Sequence, residues 1–198
     1  DDKYRLLAVF SLTDLLKSNA IAAIDKLNRL GILTCMLTGD NERSAKHIAN
    51  KLGIGDFAAN LMPADKTDKL IQFKNAGKKT IMVGDGINDA PAIATSDVGI
   101  AVGAGTDIAI DSADIVISAD DIYTVYKAVL LSKRAMRTIK ENLMWAFIYN
   151  IICIPFAAGF FIPLFGIAFR PEFAAAAMSF SSISVVLNSL RIRKFQAN

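Results

Sequence analysis

The chain is 198 residues long, enough for one ordinary domain, but 53% of it is hydrophobic and the apolar excess falls in its last third. A net charge of only +3 gives no electrostatic footprint for nucleic acid. The two cysteines, Cys35 and Cys153, stand far apart in unlike segments, which argues against a disulfide framework and for a reducing compartment. The opening Asp1-Asp2-Lys3-Tyr4 has no initiator Met and no signal-peptide pattern, and reads as the middle of a longer protein.

Taken in order, residues 6–12 form a short apolar run expected to be a strand. A helix is expected to begin near Ser18 or Asn19, either of which can cap it, with Ala20, Ile21, Ile24, Leu27 and Leu30 on its apolar face and Gly31 at its end. Residues 32–37 read as the next strand, followed at once by Thr38-Gly39-Asp40-Asn41 and a helix over about 42–52. The alternation continues: strand 57–61, helix 66–75, strand 80–83, helix 88–94, strand 98–102, strand 114–117. This rhythm predicts an α/β fold, a parallel sheet with helices on both faces. Such sheets bind ligands beyond the carboxyl ends of their strands, where Thr38 and Gly84-Asp85-Gly86 fall.

The most specific stretch is Met82-Val83-Gly84-Asp85-Gly86-Ile87-Asn88-Asp89-Ala90-Pro91. Glycines on both sides of Asp85 let the backbone turn sharply and approach a ligand closely. Asp85 and Asp89 at a strand end can hold a hard cation such as Mg²⁺, directly or through water, beside a phosphate. Thr38 can hydrogen-bond a phosphoryl oxygen, and Lys66, near a helix start, can neutralise its charge. Each piece has a plain alternative: Gly-Asp-Gly is a common tight turn, Thr38 can simply end a strand, and Lys66 can be a solvated helix lysine. It is their joint order on an α/β pattern that favours a phosphoryl site. Gly103-Ala104-Gly105-Thr106-Asp107 reads as a structural connection, and the lone His47 as a surface or packing residue.

From residue 120 a helix with a basic stretch, Lys133, Arg134, Arg137 and Lys140, leads into residues 143–169, which carry no formal charge. After Arg170-Pro171-Glu172, residues 173–190 are again uncharged, and Arg191, Arg193 and Lys194 follow. Both apolar stretches suffice for a membrane span, although Pro155 and Pro163 would kink or end the first. The basic clusters at the outer ends place those ends in the cytoplasm. Few polar groups lie inside: Tyr149, Asn150 and Cys153 in the first stretch, Met178, several serines and Asn188 in the second. Asn in a span usually has a partner or a function. Met178 and Ser182 share a helix face, and thioether, amide, hydroxyl and phenol groups suit Cu(I) better than Ca²⁺ or Mg²⁺. Packing alone would also account for serine and methionine there.

The ten-residue string resembles the hinge motif of P-type ATPases, whose phosphorylation domain has a haloacid-dehalogenase-like fold. Thr38-Gly39-Asp40 resembles their TGD motif, Asp14 with Lys17 the DxxK segment before it (Ser18 standing where family members often have proline), and Lys66 the lysine of the third dehalogenase-like motif. The resemblance implies that Thr38, Gly39, Asp40, Lys66, Asp85 and Asp89 serve phosphoryl transfer from ATP with Mg²⁺. It also implies that Asp14, Gly84, Gly86 and Asn88 line the phosphate and nucleotide region, with Asp40 in the loop that approaches nucleotide. Asn142, Tyr149-Asn150 and Met178-x-x-Ser181-Ser182 resemble the last two membrane helices of the Cu(I)-exporting subfamily. Tyr149, Asn150, Met178 and Ser182 then map onto Cu(I)-site residues, and Ag(I) is an expected second cargo. The absence of Asp and Glu from both stretches argues against the divalent-metal branch.

The implied organisation is the C-terminal part of the phosphorylation domain over 1–119, a connecting cytoplasmic helix over 120–141, two transmembrane helices over 142–190 and a cytoplasmic tail over 191–198. The default location is a plasma or bacterial inner membrane. The sequence contains no Asp-Lys-Thr-Gly-Thr, Thr-Gly-Glu or Cys-Pro-Cys motif. By this reading the missing N-terminal segments come from the same chain or a partner chain, and the isolated piece is inactive. Two other readings are a membrane-anchored dehalogenase-like phosphatase, for which Asp14 would be the weakly supported nucleophile, and a non-catalytic split or truncated pump fragment.

Overall fold

The computed structural model describes residues 16–85, 87–103, 110–118, 121–160, 162–166 and 171–195. The expected first strand, Asp14 and Gly86 lie outside the described residues. The chain divides into two units, Asp1–Tyr126 and Lys127–Asn198.

In the first unit, helix α1 (Ala20–Arg29) buries Ala23, Ile24 and Leu27. Asn19 occupies its cap position but has helical dihedrals and makes no side-chain cap bond, contrary to expectation. The first turn closes instead on backbone carbonyls, Ala20 N–H donating to Lys17 at 3.0 Å and Ala23 N–H to Asn19 at 2.9 Å. Strand β1 (Cys35–Leu37), helix α2 (Glu42–Leu52), strand β2 (Asp56–Ala58), helix α3 (Pro63–Asn75) and strand β3 (Ile81–Gly84) follow. A 3₁₀ turn, Ile87–Asp89, leads into helix α4 (Ala90–Thr95), then strands β4 (Val98–Val102) and β5 (Ile115–Ile117). Helix α3 starts three residues before its expected Lys66, because Pro63 is preorganised for a first turn and the Asp65 carboxylate accepts from the Met62 N–H at 2.8 Å.

Every strand pairing is parallel, as the alternation predicts, but the described strands form two sheets, β1-β2 and β3-β4-β5, rather than one. Each sheet has its own apolar cluster. Ile24, Ala49 and Ile54 gather with Met36, Leu52 and Phe57 around the first. Leu70, Met82, Ala92 and Ile93 gather with Ala113 by the second. Helix α4 lies so close to β4 that a Cβ on Gly99 would stand 2.5 Å from the Ile93 side chain. Asp97 ties the entry of β4 to that of β3: its carboxylate accepts from the Thr80 N–H at 3.0 Å and from Lys79 at 3.1 Å.

Helix α5 (Ile122–Ala157) is 36 residues long and begins inside the first unit. There Val125 and Tyr126 are buried. Lys26 of α1 donates to the Tyr123 hydroxyl oxygen at 2.6 Å and lies 5.0 and 5.2 Å from the Tyr123 and Tyr126 ring centres. The Tyr123 hydrogen bond holds the Lys26 ammonium above the ordinary lysine value.

In the second unit, α5 runs without interruption from its basic part into the apolar stretch and ends at a left-handed Gly159 (φ +74°). The Gly159 N–H donates to Phe156 at 3.1 Å and the Phe160 N–H to Pro155 at 3.0 Å, a Schellman closure. A one-turn helix α6 (Ile162–Phe165) and helix α7 (Pro171–Leu190) complete the unit, followed by a 3₁₀ turn, Arg191–Lys194. The uncharged stretch, in which Pro155 and Pro163 are expected to kink or end the helix, is divided at Gly159, and Pro155 lies inside α5. Among the described residues, no helix is long and apolar enough to cross a membrane. Large apolar side chains nonetheless face outward, among them Phe147, Ile151 and Ile154 on α5 and Phe180, Val186 and Leu187 on α7.

The bonds to Thr80 and Lys79 pull the Asp97 carboxyl down to about 2. A depressed carboxyl contributes stability that is complete above the ordinary aspartate range and is lost as pH falls from about 4 to about 2. Asp97→Asn is expected to lower the thermal midpoint of the full chain in detergent at neutral pH and to flatten its fall across that window. A variant whose midpoint falls as steeply as the parent's would overturn this assignment.

Candidate functional site

The site is assembled at the carboxyl ends of β1 and β3. Thr38 extends the β1 ladder, its N–H donating to Ala58 at 3.0 Å. Its hydroxyl donates to the Asp40 carboxylate at 2.9 Å and accepts from the Asp40 N–H at 3.1 Å, a closed local turn. The loop after β2 docks onto this turn: the Leu61 N–H donates to the Thr38 carbonyl at 3.0 Å and the Asn60 N–H to the Asp40 carbonyl at 2.8 Å. Gly39 makes that approach possible, since a Cβ there would stand 3.3 Å from the Leu61 carbonyl oxygen. Thr38 is half-buried, while Gly39 and Asp40 are exposed.

Helix α3 starts directly beyond this loop and aims Lys66 from its first turns at Asp89. The ammonium meets the Asp89 Oδ1 at 2.7 Å, and both side chains are mostly shielded, 14% and 15% exposed. Asp89 closes the 3₁₀ turn after β3 and folds back over the strand end. A Cβ at position 84 would stand 2.6 Å from the Asp89 Cβ and 2.8 Å from its Oδ2, so only glycine fits there. Asp85, the residue after β3, is exposed, as is Asn88.

Lys66 and Asp89 are thus joined directly, Thr38 and Asp40 are joined to each other, and the Leu61–Met62 segment links the two pairs. Among the described residues, no group of three or more His, Cys, Asp or Glu is placed to hold a metal ion. Two carboxylates, one exposed and one with an oxygen left beside Lys66, suit Mg²⁺, which keeps waters and takes its remaining oxygens from a bound phosphate. His47 is exposed, as a surface residue should be.

Tyr149 is half-buried and Asn150 exposed on α5; Ser182 is exposed on α7. Met178 lies on the backbone of α7, with its side chain outside what is described. Cys153 is a half-buried free thiol and Cys35 an exposed one, pushed up by partial burial of the sulfur. Sequence reasoning missed two polar fixtures. Lys26 with Tyr123 carries no local signal, being 97 positions apart. The partners of Asn188 were equally unreadable, although an amide in an apolar stretch signals that partners exist.

Residues 1–97 match the haloacid dehalogenase-like hydrolase family. Over 96% of its length the chain is 48% identical to copper-transporting ATPase 2 of Rhizobium meliloti and 47% identical to a probable copper-exporting P-type ATPase of Archaeoglobus fulgidus. It covers 23% and 24% of those proteins, about a quarter of the length of the curated relatives it matches. Among solved structures, a zinc-transporting PIB-type ATPase in an E2.Pi state superposes with a TM-score of 0.79 at 34% identity, covering 90% of this chain and 28% of that one. The resemblance to copper-transporting P-type ATPases therefore extends along nearly the whole chain.

Gly84→Ala is expected to push Asp89 off the end of β3 and to destabilise the chain by about 1–3 kcal/mol, the usual range for forced overpacking. Gly55→Ala, where a Cβ meets nothing within 4 Å, is the control, expected within about 0.5 kcal/mol of the parent. Denaturant unfolding measures both, and equal effects at the two positions would contradict the close approach at Gly84.

Proposed function

We propose that this chain is the C-terminal part of an ATP-driven Cu(I) export pump that works through an aspartyl phosphate. The observation that carries this reading is the Lys66–Asp89 ion pair seated on Gly84 beside Asp85, in a chain 48% identical over 96% of its length to a copper-transporting ATPase. Phosphoryl transfer needs little covalent help from the protein and depends on position and charge neutralisation. In the complete pump, an aspartate from the remainder of the protein receives the phosphoryl group. Asp85 would hold Mg²⁺ beside that aspartate, with Asp89 in support. Bound there, Mg²⁺ neutralises phosphoryl charge. Lys66, anchored by Asp89, presents its ammonium to the phosphoryl oxygens, and Thr38 offers them its hydroxyl and backbone amide. Because Thr38 already donates to Asp40, binding exchanges one acceptor for another. Asp40 is then released toward nucleotide.

The outward-facing apolar side chains of α5 and α7, bracketed by basic clusters, support a two-helix membrane hairpin over residues 142–190 with its outer ends and the sheet domain in the cytoplasm. Tyr149, Asn150, Met178 and Ser182 are the proposed Cu(I)-path groups. Neither uncharged stretch offers a carboxylate to a divalent ion, which favours Cu(I), with Ag(I) as its chemical neighbour, over Zn²⁺.

Three outcomes test this. In the full-length pump in lipid vesicles, Cu(I) and Ag(I) are expected to stimulate ATP hydrolysis and Zn²⁺ is not; stimulation by Zn²⁺ alone would overturn the cargo assignment. Asp85→Asn is expected to lower acid-stable phosphoenzyme by about a hundredfold or more, the scale of removing one electrostatic contact to the transition state. This chain expressed by itself is expected to take no label from radioactive ATP, and a labelled aspartate on it would refute the dependence on a separate segment.

A further inference from the structure

The Asn188 carboxamide lies where the second apolar stretch gives way to its basic tail, and it reaches across to α5. Its Nδ2 donates to the Asn142 Oδ1 at 2.9 Å and to the Glu141 Oε2 at 3.3 Å. The Asn142 Nδ2 in turn donates to the Ser189 Oγ at 2.8 Å. Arg137 donates to the other Glu141 oxygen at 3.1 Å, and Arg191 to the Asn188 Oδ1 at 3.4 Å.

The direction of this network is fixed by its charged ends. Glu141 only accepts and Arg191 only donates, so Asn188 must turn its NH₂ toward α5 and its oxygen toward Arg191. That orientation obliges Asn142 to offer its oxygen to Asn188 and its NH₂ to Ser189. Both amides are thereby used at every polar atom, by partners on the opposite helix for all but one bond. Reversing Asn188 would set its oxygen against those of Asn142 and Glu141, and reversing Asn142 would set its NH₂ against that of Asn188. Bonds to Asn188 and Arg137 also hold the Glu141 carboxyl below the ordinary glutamate range, with Arg134 adding to the effect, so the acceptor end stays charged at neutral pH.

We infer that Asn142 and Asn188 are positioning residues that fix the height of α5 against α7 and so set the geometry of the proposed Cu(I)-path groups. The inference rests on the pump reading above. Counted at 1.5 Å per residue, Tyr149 stands about 10 Å beyond Asn142 along α5, and Ser182 about 9 Å before Asn188 along α7. A helix slid by one residue would move one set past the other by about 1.5 Å, enough to spoil a soft-metal site whose ligands come from both helices. Apolar helix faces in lipid supply little register of their own, so a directional polar network is the feature able to specify it.

The test uses the full-length pump in vesicles and three variants: Asn142→Ala, Asn188→Ala and the double substitution. Each single change is expected to raise the Cu(I) concentration for half-maximal ATPase activity fivefold or more. Maximal rate is expected to stay within twofold, and phosphorylation by inorganic phosphate without Cu(I) to stay unchanged. The double variant should be no worse than the more affected single one, because both remove the same network. Half-maximal Cu(I) within twofold of the parent, or single effects that multiply in the double variant, would overturn the inference. A parent pump not stimulated by Cu(I) would overturn the functional reading instead, a distinguishable result. If the Asn variants do not fold, Ser189→Ala decides: it removes one acceptor, a measurable rise in half-maximal Cu(I) is expected, and no change refutes the proposal.

Discussion

A missing side chain holds the candidate site together. At the end of β3, position 84 presents bare backbone, and the Asp89 carboxyl group occupies the volume a Cβ would need. From there one oxygen reaches Lys66. Mostly shielded from water, this pair acts on the fold as well as on any ligand: it fastens the start of α3 to the turn that opens α4. A second bond, from Lys74 to the Thr95 carbonyl at 2.9 Å, fastens the other ends of the same two helices. Helix α3 is thereby held at two points, and Lys66 has little freedom to wander. An ammonium that must meet a transient phosphoryl group benefits from such restraint, because orientation is set before the charge arrives.

The β1 side of the site is organised differently. Thr38 and Asp40 satisfy each other, and the backbone around them is pinned to the loop after β2. A carboxylate is a good stand-in for a phosphoryl oxygen, being anionic and acceptor-only. The loop therefore keeps the Thr38 hydroxyl pointed and occupied, and in the proposed pump a phosphoryl oxygen would replace Asp40 as its acceptor. The β3 side offers fixed charge, while the β1 side offers an exchangeable hydrogen bond.

Legibility in the sequence followed the range of each interaction. The strand–helix alternation, the Gly-Asp-Gly turn and the ends of α1 and α2 are local, and the residues that cause them are adjacent in the chain. Gly84 was visible as a conformational freedom, but its reason, the folded-back Asp89, needs three-dimensional proximity. The grouping of the described strands, β1 with β2 and β3 with β4 and β5, is equally unreadable, since alternation counts strands and does not say which are neighbours. The first apolar stretch is read from its freedom from charge and from Pro155 and Pro163, and neither names Gly159 as the place where the helix stops. A run free of charge gives length without continuity, and Gly159 in its left-handed conformation ends the helix inside it. The Asn19 cap failed for a related reason: residue type permits a cap bond, but only the backbone dihedrals of the cap position deliver one.

Among the described residues, two polar fixtures hold α5, one at its start and one where its basic part gives way to the apolar stretch. Lys26 grips the first turn of α5 through two tyrosines, and Asn188 grips the same helix at Asn142. Between those grips α5 is one unbroken helix, whose hydrogen bonds resist stretching far better than a loop would. Beyond Asn142 the proposed cargo groups are uncharged: a phenol and an amide on α5 and, on α7, a hydroxyl and a thioether. Uncharged groups on two separate helices do not fix their own spacing. In the proposed pump, accuracy therefore has to come from where the helices are held rather than from the ligands. Among the described residues, the bonds from Asn188 to Asn142 and Glu141 and from Asn142 to Ser189 are where α5 and the end of α7 meet through polar groups.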